Sequence, residues 1–160
     1  VPAQNLLGKE EGKGFAQMMQ QLPYERTFIA VSAVAAMERA VAITAAHAKE
    51  RKLFGGTLMN LQHPRFTIAE CQTEARIARV FLDHCIEHVV DGTLDSATAS
   101  MAKWWCTDKQ FEIADRCLQL FGGYGYTTEY EIAHIWADSR VQRIYGGANE
   151  VMKELVARSL

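Results

Sequence analysis

The hydrophobic pattern is dominated by one long helix-forming segment, from Phe15 to Phe54. At about 100° per residue, one face of this helix carries Phe15, Met19, Leu22, Arg26, Ile29, Ala33, Met37, Ala40 and Thr44. Between Phe28 and Ala48 almost every side is Ala, Val, Ile or Met, unlike a surface helix with one polar face. We therefore predict that it packs against its own bundle on one side and another domain or subunit on the other. Pro23 should kink its first turns or delay its start to about Leu22.

Further helical segments follow, separated by glycine-bounded loops. They are a helix from about Pro64 to residue 91, a helix from an Asp95 or Ser96 cap to the Gly122-Gly123 breaker, a bent helix from Glu129 to Ile144 and a short last helix from Asn149 to Ser159. No run of alternating polarity predicts a strand. The expected fold is all-α, an up-down-up-down four-helix bundle with a short extra C-terminal helix.

Hydrophobic stripes indicate which faces of the middle helices meet the core. The stripe of the second helix is Phe66, Ala69, Ala75, Ala78, Leu82, Cys85, Ile86 and Val89, and that of the third is Met101, Trp104, Trp105, Phe111, Ala114, Leu118 and Phe121. Residues 1–14 are polar and contain glycine, which is typical of a linker. We predict a lead-in over 1–14 and a helical domain over 15–160.

Composition narrows the possible partners. The chain has 160 residues, 49% of them hydrophobic, and only three prolines, which favours one soluble helical domain. A net charge of −2 with no basic tract argues against nucleic acid or an anionic membrane as a partner. Cys71, Cys85, Cys106 and Cys117 lack paired spacing, so we expect free thiols of a reducing compartment. We also expect no signal peptide and no membrane span.

Glu25 is the candidate base on the first helix. It lies at the edge of the apolar face, three residues after Leu22 and four before Ile29. A carboxylate on the flank of an apolar stripe is partly desolvated and is a better base for that reason. The alternative is an ordinary solvated residue at the margin of the face.

Metal sites are weakly supported. His84 and His88 have i, i+4 spacing, but a metal needs further ligands that the sequence does not supply. Glu131 and His134 match the Glu-x-x-His of di-iron bundles, yet the required second copy is absent. We expect no metal site, with these side chains on helix surfaces.

Two segments are candidates for binding a phosphorylated ligand. Arg51 and Phe54 at the end of the first helix, with Gln62 beyond them, offer a charge-assisted bond, a flat ring and an amide. Arg51 equally complements the helix dipole. The segment Gly123-Tyr-Gly-Tyr-Thr-Thr128 superficially matches a dinucleotide fingerprint, but it follows a helix rather than a strand. This segment either lets a ligand approach the backbone closely or is a plain turn between helices.

Four motifs in order resemble the C-terminal domain of the acyl-CoA dehydrogenases. They are Gly8-Lys-Glu-Glu-Gly-Lys-Gly14-Phe15, Arg51-Lys-Leu-Phe54-Gly55 followed by Gln62, Gln119-Leu-Phe-Gly122-Gly123-Tyr-Gly125, and Arg143-Ile-Tyr145-Gly146-Gly147. The resemblance covers the whole chain and is closest to the long-chain branch. It implies that the chain, which begins without Met, is cut from a protein with an N-terminal helical domain and a β-domain.

The resemblance implies FAD-dependent oxidation of acyl-CoA thioesters, with electrons passed to an electron-transfer flavoprotein. Most members have the catalytic glutamate directly after the tyrosine that matches Tyr145, where this chain has Gly146. The long-chain and isovaleryl branches supply the base from the first long helix, and Leu22-Pro-Tyr-Glu25-Arg26 resembles their motif. Glu25 is thus the expected base.

The resemblance also implies the binding residues. The residues expected at the substrate are Arg26, Tyr145, Gly146 and Gly147. Gly146 keeps the backbone N–H that helps to hold the thioester oxygen. Arg26 either positions the base or the CoA, or forms an internal salt bridge. The residues expected at FAD are Arg51, Phe54, Gln62, Gln119 and Gly123 for a neighbouring subunit's flavin, and Ala148 and Glu150 for the subunit's own.

Sharing the flavin makes a homodimer or homotetramer the expected assembly, in a bacterial cytoplasm or a mitochondrial matrix. Ala148 stands where the family more often has Thr, so one hydrogen bond to FAD is expected to be lost. Two other functions remain open at this point, an acyl-CoA oxidase and a non-catalytic bundle that only oligomerises.

Overall fold

The structure, a computed structural model, describes residues 2–8 and 10–160 and consists mainly of helices. The helices are α1 (Gly14–Glu50), α2 (Gln62–Val90), α3 (Ser96–Phe121), α4 (Glu131–Val141) and α5 (Asn149–Ala157). Two strands, β1 (Lys52–Leu53) and β2 (Gly56–Thr57), form a small antiparallel hairpin, and short 3₁₀ turns cover Ala3–Asn5, Leu58–Asn60 and Gly122–Tyr126. Within the predicted lead-in, Val1 and Lys9 lie outside the described residues.

Helices α1 and α3 run side by side in the same direction. Near their starts, Nη1 of Arg26 donates to Oγ of Ser96 at 3.3 Å. Near their ends, the ring of His47 stacks on that of Phe121 with centroids 4.1 Å apart. Because the two helices contact each other start to start and end to end, α1 and α3 must be parallel.

Helices α2 and α4 run the other way. Arg116, near the end of α3, donates to Glu70, near the start of α2. Tyr130, at the start of α4, contacts Phe121, whereas Trp136 further along donates to Asp115 one and a half turns earlier in α3. The predicted all-α, up-down-up-down bundle with a short last helix is therefore confirmed.

The core-facing stripe of α3 differs from the predicted one. Of the predicted stripe only Ala114 and Phe121 are buried, while the aromatic residues Trp104, Trp105 and Phe111 are partly exposed. The buried face carries Ala99, Ser100, Ala102, Lys103, Cys106, Thr107, Gln110, Ile113, Ala114, Cys117 and Phe121. Ser100, Lys103 and Thr107 are accommodated on this face because they bond to Arg26, to the segment from Gly147 to Asn149 and to the backbone of α3, which a hydrophobicity pattern cannot detect.

The predicted core-facing stripes of α1 and α2 are buried only in part. Phe15 and Met19 at the start of α1 are exposed, as are Phe66 and Ala69 at the start of α2. The central positions of both helices, including Ala33, Met37, Ala78 and Leu82, are fully buried. The first turns extend past the packed part of the bundle.

The end of α1 also differs from the prediction. The helix ends at Glu50 because Arg51 is extended, with φ −65° and ψ 110°, and a hairpin follows. Phe54 (φ 49°) and Gly55 (φ 80°) both have positive φ, as the two central residues of a type I′ hairpin turn require. Strands of two residues are too short to leave an alternating pattern, so hydrophobic periodicity could not predict them.

Pro23 does not delay the helix. Helix α1 is continuous from Gly14, and Oγ1 of Thr27 donates to the carbonyl of Pro23 at 2.9 Å. By length and composition α1 is also apolar enough to cross a membrane. Its composition therefore does not exclude a span, contrary to the expectation from sequence. A core helix passes the same test, and here α1 packs along α2 and α3.

Candidate functional site

The predicted site residues form two groups at opposite ends of α1. The first, here called the start cluster, contains Glu25 and Arg26 near the start of α1 and the loop from Tyr145 to Ala148, with Glu150 just beyond it. The second, here called the end groove, contains Arg51, Gln119 and Gly123. Arg26 and Arg51 are 25 residues apart along α1, which is about 38 Å at 1.5 Å per residue.

The start cluster brings Glu25 and Gly146 to the same part of α1. Glu25 is exposed, and Ile29 lies one turn after it. A Cβ atom built on Gly146 would collide with Cδ1 of Ile29, so the loop passes against α1 and a side chain here would have to displace the tip of Ile29. Gly146 also has φ 66°, which favours glycine. The exposed position of Glu25 means that this chain alone does not desolvate the carboxylate.

Arg26 is buried beside this contact. It is 6% exposed, and Nη1 donates to the hydroxyls of Ser96 (3.3 Å) and Ser100 (3.4 Å) on α3. Its Nε is buried without a hydrogen-bond partner among the described residues. Burial lowers the pKa of Arg26, and the neighbouring charge of Glu25 partly offsets this. Hydroxyls therefore hold Arg26, and the internal salt bridge considered above is not the arrangement found.

The loop after Tyr145 exposes backbone donors. Tyr145 is 44% exposed. Within residues 2–8 and 10–160, the N–H groups of Gly146 and Gly147 donate no hydrogen bond, although Asn149 N donates to the carbonyl of Arg143 at 3.1 Å. Partly buried donors without an acceptor are suited to bind a ligand oxygen.

A buried lysine of α3 binds this loop. Lys103 of α3 is 0% exposed, and its Nζ donates to the carbonyl of Gly147 at 2.7 Å and to Oδ1 of Asn149 at 2.8 Å. Sequence reasoning missed Lys103 and Asn149. The signal was present, because Ser96, Ser100, Lys103 and Thr107 recur at helical spacing on one face of α3.

Asp108 joins the same loop to α3. Its carboxylate accepts from Nε of Arg143 at 2.6 Å and from Nδ2 of Asn149 at 2.9 Å. Ala148 occupies the N-cap position of α5 and supplies no side-chain cap, and Glu150 is exposed in the first turn. Helix α5 therefore begins with uncapped donors at the edge of the start cluster.

The end groove is a surface cavity of about 630 Å³. Its walls include Arg51, His63, Gln119, Gly123 and Tyr124. The guanidinium of Arg51 lies 5.1 Å from the ring centroid of Tyr124, and a Cβ on Gly123 would meet no atom within 4 Å, so the backbone there is open to a ligand.

Two predicted residues lie outside the groove lining. Phe54 is at the tip of the hairpin and is 92% exposed. Gln62, the first residue of α2, is exposed, and its neighbours Leu61 and His63 line the groove instead. His47 lies behind the groove against Phe121, and burial together with the charge of Arg51 lowers its pKa.

The glycines of the Gly123–Thr128 segment serve different purposes. A Cβ on Gly125 would lie 2.7 Å from the carbonyl oxygen of Leu118 and 2.9 Å from Cβ of Phe121. Gly125 is therefore required for packing against the last turn of α3. Only Gly123 leaves backbone available for a ligand.

The weak metal candidates are engaged in other contacts. Glu131 forms a bidentate ion pair with Arg39, with N–O distances of 2.8 and 2.6 Å, and Nε2 of His134 lies 2.9 Å from the carbonyl oxygen of Thr128. Across the described part of the chain, no three His, Cys, Asp or Glu side chains are grouped as metal ligands. The four cysteines are buried and unpaired by disulfides, and a hydrogen bond to Cys117 together with burial raises the pKa of Cys71.

Known proteins resemble the chain in sequence and in structure. Residues 12–160 match the family model described as acyl-CoA dehydrogenase, C-terminal domain. The chain is 46% identical over 160 residues to the mitochondrial long-chain specific acyl-CoA dehydrogenase of Rattus norvegicus, and it spans 37% of that protein's length.

Solved structures agree with this result. An acyl-CoA dehydrogenase from Geobacillus kaustophilus superposes with a TM-score of 0.94 at 43% identity, over 99% of this chain and 42% of that one. A chain from a structure described as electron transferring flavoprotein of Acidaminococcus fermentans gives a TM-score of 0.94 at 34% identity, with the same coverage. The chain therefore belongs to the acyl-CoA dehydrogenase family, of which it is a C-terminal helical domain.

Proposed function

We propose that the protein containing this chain dehydrogenates acyl-CoA thioesters to trans-2-enoyl-CoA, with Glu25 as the base. The observation that carries the proposal is the contact between Gly146 and Ile29, one turn after Glu25. The position that most of the family uses for the base has no side chain here and abuts the turn of α1 after the candidate carboxylate. The two positions therefore serve one reaction centre.

Each residue of the start cluster has a role in this reaction. The carboxylate of Glu25 removes the α-proton, which needs hydrogen-bond reach to the thioester. The N–H of Gly146 donates to the thioester oxygen as negative charge develops there. Arg26, buried beside the base and held by Ser96 and Ser100, positions the base or the CoA. Bound FAD supplies the hydride acceptor for the β-hydrogen.

The chemistry of the end groove fits part of a flavin dinucleotide. A guanidinium, an amide and open backbone line it, and the exposed Phe54 ring adjoins it on the hairpin. Arg51 would bind the pyrophosphate, and Gln119 and Gly123 the adenosine end. Phe54 and Gln62 would contact the same flavin from the rim.

Flavin sharing between subunits follows from the distance between the two groups. The start cluster and the end groove lie about 38 Å apart along α1, which is more than one flavin dinucleotide can span. Each chain would therefore contact two flavins, its own through Ala148 and Glu150 and a neighbour's through Arg51. A homodimer is the smallest assembly that satisfies this, and a homotetramer contains two such pairs.

The relatives support the remaining assignments. Identity to long-chain specific mitochondrial enzymes favours a long acyl chain, a role in fatty-acid β-oxidation and a mitochondrial matrix or bacterial cytoplasm. The structure described as electron transferring flavoprotein favours such a flavoprotein as the electron acceptor. The lead-in over residues 1–14 would connect the helical domain to a β-domain.

The test is Glu25→Gln in the full-length protein, with Glu87→Gln on the exposed side of α2 as the matched control. We expect Glu25→Gln to lower turnover by a factor on the order of 10²–10⁴ while FAD remains bound, since this is the usual cost of losing a general base. Retained turnover would overturn the assignment. Rapid peroxide formation when the reduced wild type meets air would indicate an oxidase, and failure of FAD to copurify would indicate a non-catalytic bundle.

A further inference from the structure

The most unusual buried group in the chain is the ammonium of Lys103. Its side chain is 0% exposed and is the largest fully buried one. Burying a charge is expensive unless it is paired or fully hydrogen-bonded. The two acceptors of Nζ are neutral oxygens, and both belong to the segment from Gly147 to Asn149.

Charges on every neighbouring element act on Lys103. Burial lowers its pKa to about 8, Asp108 on α3 and Glu150 on α5 oppose this, and Arg26 on α1 adds to it. Arg143, in the loop itself, is neutralised by Asp108. A methionine of similar shape would fill the same space without a desolvation cost, so packing alone does not account for a lysine here.

The segment that Lys103 binds has few contacts of its own. Gly146 and Gly147 have positive φ angles of 66° and 99°, and their N–H groups donate no hydrogen bond among the described residues. Glycine carries the largest conformational entropy, so such a segment needs outside contacts to hold one orientation. Asp108 of α3 binds Arg143 and Asn149 on either side of the two glycines, and Lys103 adds the hydrogen bond to the glycine backbone itself, through the carbonyl of Gly147.

We infer that Lys103 is a positioning residue that fixes the Gly146-Gly147 segment so that the N–H of Gly146 faces the thioester oxygen. The inference rests on the proposed function. Helix α3 then positions both parts of the start cluster from one face: Ser96 and Ser100 hold Arg26 beside the base, and Lys103 holds the loop.

The experiment compares Lys103→Met with Lys109→Met in the full-length holoenzyme. Lys109 lies on the same helix but pairs with Glu112 at the surface. The readouts are kcat, KM, the flavin-to-protein ratio and the pKa of a bound 3-oxoacyl-CoA. That ligand has an acidic α-proton and forms an enolate, whose absorption with the oxidised flavin is titrated.

We expect Lys103→Met to lower kcat on the order of 10–100-fold, with KM changed much less and flavin retained, because a misdirected donor is felt mainly in the transition state. The pKa of the bound 3-oxoacyl-CoA should rise by about one unit or more, since its enolate loses the same donor. Lys109→Met should change neither kcat nor the pKa of the bound ligand. A merely structural role would lower stability without moving the ligand's pKa.

Asn149→Ala separates positioning from a direct effect of charge. It removes one of the two acceptors of Lys103 and leaves the ammonium in place. Positioning predicts an intermediate rise in the ligand's pKa, whereas a pure charge effect predicts none and would overturn the inference. Failure of both variants to fold with flavin would make Lys103 a structural residue and would overturn it as well.

The outcomes also distinguish this inference from the proposed function. Normal wild-type turnover with an unchanged ligand pKa in Lys103→Met overturns the role of Lys103 alone. A wild type whose flavin is not reduced by any acyl-CoA thioester overturns the proposed function and this inference together.

Discussion

The two ends of α1 are built differently. At its start, polar groups are buried and bound within the chain, as with Arg26 on Ser100 and Lys103 on Gly147. At its end, the polar and aromatic groups are exposed, with Arg51 in an open groove and Phe54 at the tip of a hairpin. The first arrangement is fixed by contacts within the chain, whereas the second is open at the surface.

This difference separates two kinds of functional residue. Residues that act on the reacting atoms need orientations fixed to within a fraction of an ångström, so their supports are internal. On the proposed function, the end groove would bind a neighbouring subunit's flavin, and its side chains would be fixed only on assembly. Mutations at the start cluster should therefore change turnover, and mutations at the end groove should change affinity.

The largest effect is expected when the base is moved back to position 146. In Glu25→Gln/Gly146→Glu the new side chain collides with Ile29 and needs a positive φ, so turnover should stay about a thousandfold below wild type. Adding Ile29→Ala opens the space and should restore turnover at least about tenfold. Steady-state rates of the double and triple variants make the comparison. Full activity in the double variant would show that the contact with Ile29 is unimportant.

A smaller effect is expected at the other end of α1. Arg51→Gln should weaken FAD binding on the order of 10–100-fold, the value of a charge-assisted hydrogen bond, with kcat unchanged at saturating FAD. Equilibrium titration of the apoprotein with FAD measures this. Arg65→Gln, an exposed arginine in the first turn of α2, is the control. A fall in kcat with unchanged affinity would contradict the division between the two ends.

The pH dependence of stability tests the buried ammonium. The folded pKa of Lys103 is about 8, below the ordinary 10.5, so between these values the unfolded chain binds a proton that the folded chain does not. The contribution of Lys103 to the free energy of unfolding therefore rises with pH from about 8 to 10.5, by on the order of 1–3 kcal/mol. Denaturant unfolding of wild type and Lys103→Met at pH 7.5 and pH 10 measures it. Lys109, whose pKa is raised by Glu112, should contribute little change between pH 7.5 and pH 10, because its stabilisation is lost only above the ordinary pKa of lysine.

The smallest effect is expected at the hairpin tip. Phe54→Gly removes a bulky residue from a left-handed conformation and should raise the free energy of unfolding by about 0.5–1 kcal/mol. The same change removes an exposed ring from the rim of the groove, so FAD affinity should fall. Urea unfolding and FAD titration of one variant measure both. A loss of stability would mean that Phe54 is held by contacts within its own subunit.

The sequence predicted the helices but not everything that the helices bury. Asp95 as a cap, the Gly122 stop and the apolar centre of α1 are local signals, and the structure agrees with them. The polar face of α3 was missed because the two partners of Lys103, Gly147 and Asn149, are distant in sequence. The hairpin was missed because strands of two residues have no period.

The predicted site residues divide in the same way. Glu25 and Arg51 were proposed from the helical wheel and from their chemistry, and the resemblance to the family decided in their favour and added Gly146; their roles remain predictions. Their environments came only with the structure: wheel geometry put Glu25 at the edge of an apolar face, yet the side chain is exposed.

The close passage of Gly146 over Ile29 couples the two positions. A side chain at 146 would have to displace Cδ1 of Ile29 and adopt a positive φ, so its cost depends on how far Ile29 can rotate away. We therefore expect positions 29 and 146 to tolerate substitution together more readily than position 146 alone.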